Sequence, residues 1–156
     1  MTGTPALRAL AAAGVAVSLH PYDYDRDAEA IGLAAAQALG LDPGLTLKTL
    51  MVEVDGKPGC CVLPSDRQLS MKKVAAAFGG KQAAMMPAAK AEKLTGYRVG
   101  GISPFGQKRS VPTLFDTAPL GAPRVWINAG ARGLLLGIAP ADALRTTQAR
   151  PASLTP

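Results

Sequence analysis

Apolar residues recur along this chain in two rhythms, one helical and one with the two-residue period of strands. The breaks between them predict its elements. Over 4–13 a short amphipathic helix is expected, with Thr4 as N-cap, Pro5 at the first helical position and Gly14 at the exit. Residues 15–20 alternate as a strand, an acidic loop follows at 23–27, and a helix over 28–39 stops at Gly40. Asp42-Pro43-Gly44 turns the chain into a strand at 45–54, which Asp55-Gly56 folds back onto a return strand at 60–63. The next helix has readable ends: Ser70 as N-cap, Leu69 and Val74 spaced as a hydrophobic staple, and Gly79 beyond the last turn.

Beyond it the pattern predicts a short strand at 82–86, a helix at 88–95 ended by Gly96, and a glycine-rich loop from 97 to 109. Strands at 111–116, 124–128 and 133–138 precede a last helix over 140–147, and 149–156 is expected to be a mobile tail. Strands outnumber helices and some are joined by a hairpin. The expected class is therefore α/β of the α+β type: a mixed sheet curled toward a barrel, with helices outside. At 156 residues, 48% of them apolar, the chain fits one domain over 1–156.

Charge adds a second layer. Residues 1–65 carry a net −3, residues 66–109 a net +7 and residues 110–156 a net +2. Such segregation fits either a polyanionic partner or a solvated lysine face. No stretch approaches the roughly 20 apolar residues that span a bilayer, so no membrane association is expected. The apolar run at 9–19 is read as helix and strand rather than as a secretion signal. The two cysteines, Cys60 and Cys61, are neighbours on a strand; they point to opposite faces and make no disulfide framework. A reducing cytoplasm follows from that.

Two features could carry chemistry. Alternation over 45–54 sets Lys48 on a face with Leu50, Val52 and Val54, so its ammonium either snorkels to water or sits in a cleft facing a negative group. The second is the run Gly96-Tyr97-Arg98-Val99-Gly100-Gly101-Ile102-Ser103-Pro104-Phe105-Gly106. Gly100 and Gly101 would let a ligand approach the backbone, and Pro104 stiffens the loop. By itself such a glycine-rich loop is more often a turn than a site.

Read together, Leu47-Lys48-Thr49-Leu50, Thr95-Gly96-Tyr97 and Gly100 to Gly106 resemble the YbaK/prolyl-tRNA-synthetase-associated domain family. His20-Pro21-Tyr22, Leu69 to Val74, the strand ending at Asp116 and Arg132-Gly133-Leu134 extend the likeness over nearly the whole chain. The resemblance implies the fold of that family and a trans-editing aminoacyl-tRNA deacylase, with Cys-tRNA(Pro) as the favoured substrate. It makes Lys48 the functional lysine. Tyr22, Thr49, Gly100, Gly101, Ile102, Ser103, Pro104 and Asn128 become substrate-binding residues. Lys72, Lys73, Lys108 and Arg109 are the expected tRNA backbone contacts. Prolyl-tRNA synthetase is a candidate partner, and a homodimer is left open.

The inventory of side chains agrees with such chemistry by what it omits. One histidine, His20, and two adjacent cysteines supply neither a zinc set nor, without His20, a nucleophile–histidine pair. No metal or other cofactor is expected. The nucleophile would then be water or the substrate's own thiol, which is partly ionised near neutrality. His20, the cysteines and Trp126 read more simply as structural residues. Two departures from the family pattern leave the amino acid open: Asn128-Ala129-Gly130 stands where relatives read Ser-Gly-Gly, and Leu135 where an acidic residue often follows. The alternatives are a deacylase for another amino acid such as alanine, a non-catalytic tRNA- or synthetase-binding module, and an ordinary basic protein.

Overall fold

A computed structural model describes residues 3–25, 27 and 31–156. Helix α1 (Pro5–Ala12) starts as expected, with the Thr4 hydroxyl accepting from the Leu7 N–H. Strand β1 (Ser18–Pro21) begins three residues later than the alternation suggested, because Val15 is drawn into the core directly after the helix. Helix α2 is described over Ile31–Leu39; its expected start at 28–30 lies outside the described residues.

Strands β2 (Leu47–Val54) and β3 (Lys57–Pro64) form the predicted hairpin. Asp55 and Gly56 both take positive φ, +51° and +80°, as a tight two-residue turn requires. The Asp55 carboxylate accepts from the N–H groups of Lys81 and Gln82, which holds its pKa below the ordinary range. Helix α3 (Met71–Ala77) carries the Ser70 cap, and β4 (Ala83–Met85) pairs with the far end of β2. Helix α4 (Ala88–Thr95) ends on a left-handed Gly96. After the glycine-rich loop come β5 (Thr113–Asp116), β6 (Val125–Ala131), β7 (Leu134–Ile138), α5 (Pro140–Thr147) and β8 (Arg150–Ala152).

The mixed α+β class holds. The strands form two sheets, β1-β7-β6 and β4-β2-β3-β5-β8, with parallel pairing at β3–β5 and β5–β8. Among the described residues a bridge between Thr46 and Trp126 joins their backbones, and the curl toward a barrel stays open. Most of the apolar core lies around Leu47, Met51, Cys60, Val62 and Phe115 of the larger sheet and Val125, Ile127, Leu136 and Ile138 of the smaller. The opposite face of the larger sheet, with Val52, Val54, Cys61 and Leu114, is covered by Val74 and Ala75 of α3. Cys60 and Cys61 thus fall into separate cores, and burial raises both thiols to about 12. Among the described residues no helix is long and apolar enough to cross a membrane.

The tail is the clearest departure from expectation. Residues 149–156 are not a loose end: β8 extends the sheet, and beyond it Leu154 is fully buried. The Leu154 N–H donates to Asp116 Oδ1 at 3.0 Å, its carbonyl accepts from the Ser70 N–H at 2.8 Å, and Lys73 Nζ donates to the Thr155 carbonyl at 2.7 Å. Leu154→Ala should therefore cost about 2–5 kcal/mol, as for other buried leucines. Ser153→Ala should stay within about 0.5 kcal/mol. Urea unfolding of the two variants checks the contrast.

Candidate functional site

Strand β2 is paired with β3 along its whole length, but its other edge is only partly covered. The bridge at Thr46 closes one end and the β4 ladder starts at Val52. Between them lies a stretch that no strand completes, with the Met86 N–H to Met51 carbonyl bond at its far end. A cavity of about 550 Å³ opens there. Because it runs along the strand's edge, residues of both faces line it, Lys48 and Thr49 among them. Its walls come from Ile31, Gly32 and Ala35 of α2, Met85, Met86 and Ala91, the loop residues Val99, Gly100 and Ile102, and Asn128 and Leu135 of the smaller sheet.

Lys48 is half-buried, and desolvation lowers its pKa from the ordinary lysine value, with the Asp66 charge opposing the shift. It is the only charged side chain among the described lining residues. Gly32, which the sequence reading passed over, lets α2 lie against it: a methyl there would stand 2.9 Å from Ser65 Cβ and 3.8 Å from Lys48 Cβ. Tyr22 also lines the cavity, and burial raises the pKa of its phenol against the opposing Gly133 hydrogen bond. The Thr49 hydroxyl is buried and has no hydrogen-bond partner among the described residues.

The glycine pair is required by packing within the chain. A Cβ on Gly100, whose φ is +91°, would run into the Tyr24 hydroxyl. One on Gly101 would come within 3.0 Å of the Arg132 nitrogen and 3.1 Å of the Ala131 carbonyl carbon. The glycines let the loop pack against Tyr24 and the β6–β7 turn. Gly100 and Ile102 line the cavity, whereas Gly101, Ser103 and Pro104 do not. Ser103 is fully buried: its hydroxyl accepts from the Phe105 N–H at 3.3 Å and its carbonyl from Gln107 Nε2 at 3.0 Å. Tyr97, raised to about 12 chiefly by burial, donates to the Phe105 carbonyl. These three residues brace the loop from behind.

Asn128 faces the cavity but is tied to the scaffold. Its Oδ1 accepts from the N–H groups of Gly130 and Ala131, and its Nδ2 donates to the Gly100 carbonyl at 3.2 Å. The Val99 N–H is held by Glu92 and its carbonyl by Arg132. Tyr24 and Glu92 were missed from sequence, and Arg132 was noted only within the Arg132-Gly133-Leu134 run; the Arg132 bond to Val99 spans 33 positions and leaves no local pattern. Lys72, Lys73, Lys108 and Arg109 are exposed and lie outside the cavity, on α3 and after α4. Lys73 is already tied to the Thr155 carbonyl. A smaller hollow of about 290 Å³ lies by Pro104, Gln107 and Thr147.

Comparison with known proteins places this geometry among relatives. Residues 27–146 match the aminoacyl-tRNA editing domain. A protein of Enterococcus faecalis named "Putative Cys-tRNA(Pro)/Cys-tRNA(Cys) deacylase EbsC" is 35% identical over 124 residues, 78% of this chain and 75% of that protein. A solved structure described as a "putative trans-editing enzyme for prolyl tRNA synthetase" superposes over 100% of this chain and 99% of its own, with TM-score 0.85 and 24% identity. A structure of a hypothetical protein does so over 97% and 99%, with TM-score 0.86 and 24% identity. At such identities the two structures speak to the fold.

Burial opposes the ammonium form of Lys48, so Lys48→Met should unfold at an equal or higher midpoint than the parent at neutral pH. That difference should shrink as pH rises toward 10.5, the ordinary lysine value, where the unfolded chain loses the same proton. Gly101→Ala should instead destabilise by about 1–3 kcal/mol, because the backbone it meets cannot yield cheaply. Thermal unfolding across pH measures both.

Proposed function

The chain belongs to the aminoacyl-tRNA editing domain family, and from that membership we propose a deacylase that acts in trans on mischarged tRNA, with Cys-tRNA(Pro) as its favoured substrate. The observation that carries this reading is the cavity at the open edge of β2. It holds one cation, a glycine-bearing backbone wall and, among the described lining residues, no His, Cys, Asp or Glu. Such a site offers electrostatic stabilisation without a protein nucleophile or a carboxylate base.

The chemistry then falls to the substrate. The thiolate of the cysteinyl group attacks its own ester carbonyl carbon and the carbonyl oxygen gains negative charge. Collapse breaks the bond to the ribose oxygen, which takes a proton. Cysteine leaves as a cyclic thioester that water opens. Lys48 faces the developing oxyanion, where a donor in a dry site contributes most. Thr49 also lines the cavity, and the Tyr22 phenol is available to a carbonyl or ribose oxygen. Neither cysteine of the chain competes for this role, since both thiols are buried and pushed up to about 12. His20 is not in the cavity either; its Nε2 lies 2.8 Å from the Ser18 hydroxyl.

On this reading the chain works as a single editing domain in the cytoplasm, with Lys72, Lys108 and Arg109 against tRNA phosphates and prolyl-tRNA synthetase as a candidate partner. Lys73 contributes less, because its ammonium is engaged by the C-terminal segment. A deacylase for alanyl-tRNA is the second reading. It is favoured by Leu135, which gives an apolar wall where related sequences often carry an acid.

Incubation with tRNAs charged with labelled Cys, Ala, Ser or Pro separates these readings. Cysteine release is expected, alanine release alone moves the choice to the second reading, and binding without release overturns the deacylase. Lys48→Ala should lower turnover about a hundredfold or more, and undiminished turnover would refute its role. With cysteine as substrate the rate should climb with pH near the thiol pKa of about 8.5. It should fall again below the ordinary lysine value of 10.5 as Lys48, its pKa lowered by burial, loses its proton.

A further inference from the structure

Two side chains outside the cavity grip its glycine wall. Arg132, exposed just after β6, places its guanidinium carbon 5.3 Å from the centre of the Tyr24 ring. Its Nε donates to the Val99 carbonyl at 3.1 Å. The hydroxyl end of Tyr24 packs on Gly100 from the same side. The Tyr22 N–H donates to the Gly133 carbonyl at 2.9 Å, which ties the cavity tyrosine to the same turn.

The Val99 carbonyl and the Gly100 N–H belong to one peptide plane. In a trans peptide they point in opposite directions, so holding the carbonyl outward aims the N–H inward. Gly100 lines the cavity, its φ of +91° suits a glycine, and its N–H has no partner among the described residues. A donor on the carbonyl also polarises the amide and strengthens its N–H.

We propose that Arg132 and Tyr24 are positioning residues for deacylation, a clasp that aims the Gly100 N–H at the ester oxygen opposite Lys48. This rests on the deacylase reading above. An exposed arginine in a basic protein could instead meet a phosphate. Here, however, its Nε is committed to a carbonyl and its plane to a ring, geometry that a lysine cannot reproduce.

The test compares Arg132→Lys, Arg132→Ala and Tyr24→Leu with the parent. Each should lower kcat about tenfold to a hundredfold, the cost of a misaimed group, with KM and its salt dependence nearly unchanged and the unfolding midpoint kept. Lysine should not rescue. Parent-like kcat in Arg132→Lys, or a loss confined to KM that vanishes at high salt, would mark a phosphate contact and overturn the clasp. The Gly100 amide resonance of the ligand-free protein gives a readout independent of turnover. It should shift and exchange faster in all three variants, and an unmoved resonance overturns the proposal. Absence of turnover by the parent on every charged tRNA would instead refute the deacylase reading, leaving the resonance to judge the clasp.

Discussion

An unfinished sheet edge governs this molecule. Strand β2 is secured on one side by eight paired residues of β3, but on the other it is left open between Thr46 and Val52. Strand backbone exposed in this way ordinarily invites association. Here α2, the glycine-rich loop and the smaller sheet crowd around it and leave a hollow instead of completing a ladder. The edge accounts for an otherwise odd fact, that adjacent residues of opposite facing, Lys48 and Thr49, share one cavity.

The wall opposite that edge is irregular backbone, and irregular backbone needs external support. Its peptide groups are claimed one by one: Val99 by Glu92 and Arg132, Gly100 by Asn128, Gly101 by Arg98. Ser103, Tyr97 and Gln107 hold the loop from the protein side. A segment with this many fixed groups loses little further entropy when it orients a ligand, which is the advantage of preorganisation.

Much of this was legible in the sequence, for definable reasons. Helix caps at Thr4 and Ser70, the Asp55-Gly56 turn and the left-handed Gly96 are local devices, and local devices leave local marks. Lys48 was legible because a cation on an apolar strand face violates the pattern around it. The C-terminal strap was not: one buried leucine among prolines has no period, and its partners Asp116 and Ser70 lie far back in the chain. The glycine pair was legible but its packing partners were not, since Tyr24 and the backbone at 131–132 come from other parts of the sequence. Ser103 was placed in the site by its neighbours in sequence, while the turn of the loop buries it.

The electrostatics of the cavity limit the chemistry proposed for it. Among the described lining residues there is one cation and no acid or imidazole, and such a set cannot by itself generate a nucleophile from water at neutral pH. It can lower the energy of negative charge placed near Lys48. A mostly apolar hollow also discriminates poorly between small side chains, because one methylene is worth only about 1–3 kcal/mol. If the chain edits tRNA as proposed, selectivity would therefore come less from fit than from reactivity. A side chain that can ionise and reach its own carbonyl reacts, while one of equal size that cannot remains bound and intact. Such a site would need no precise pocket for cysteine, only a half-buried cation and an aimed N–H to favour the charge that cysteine alone can develop there.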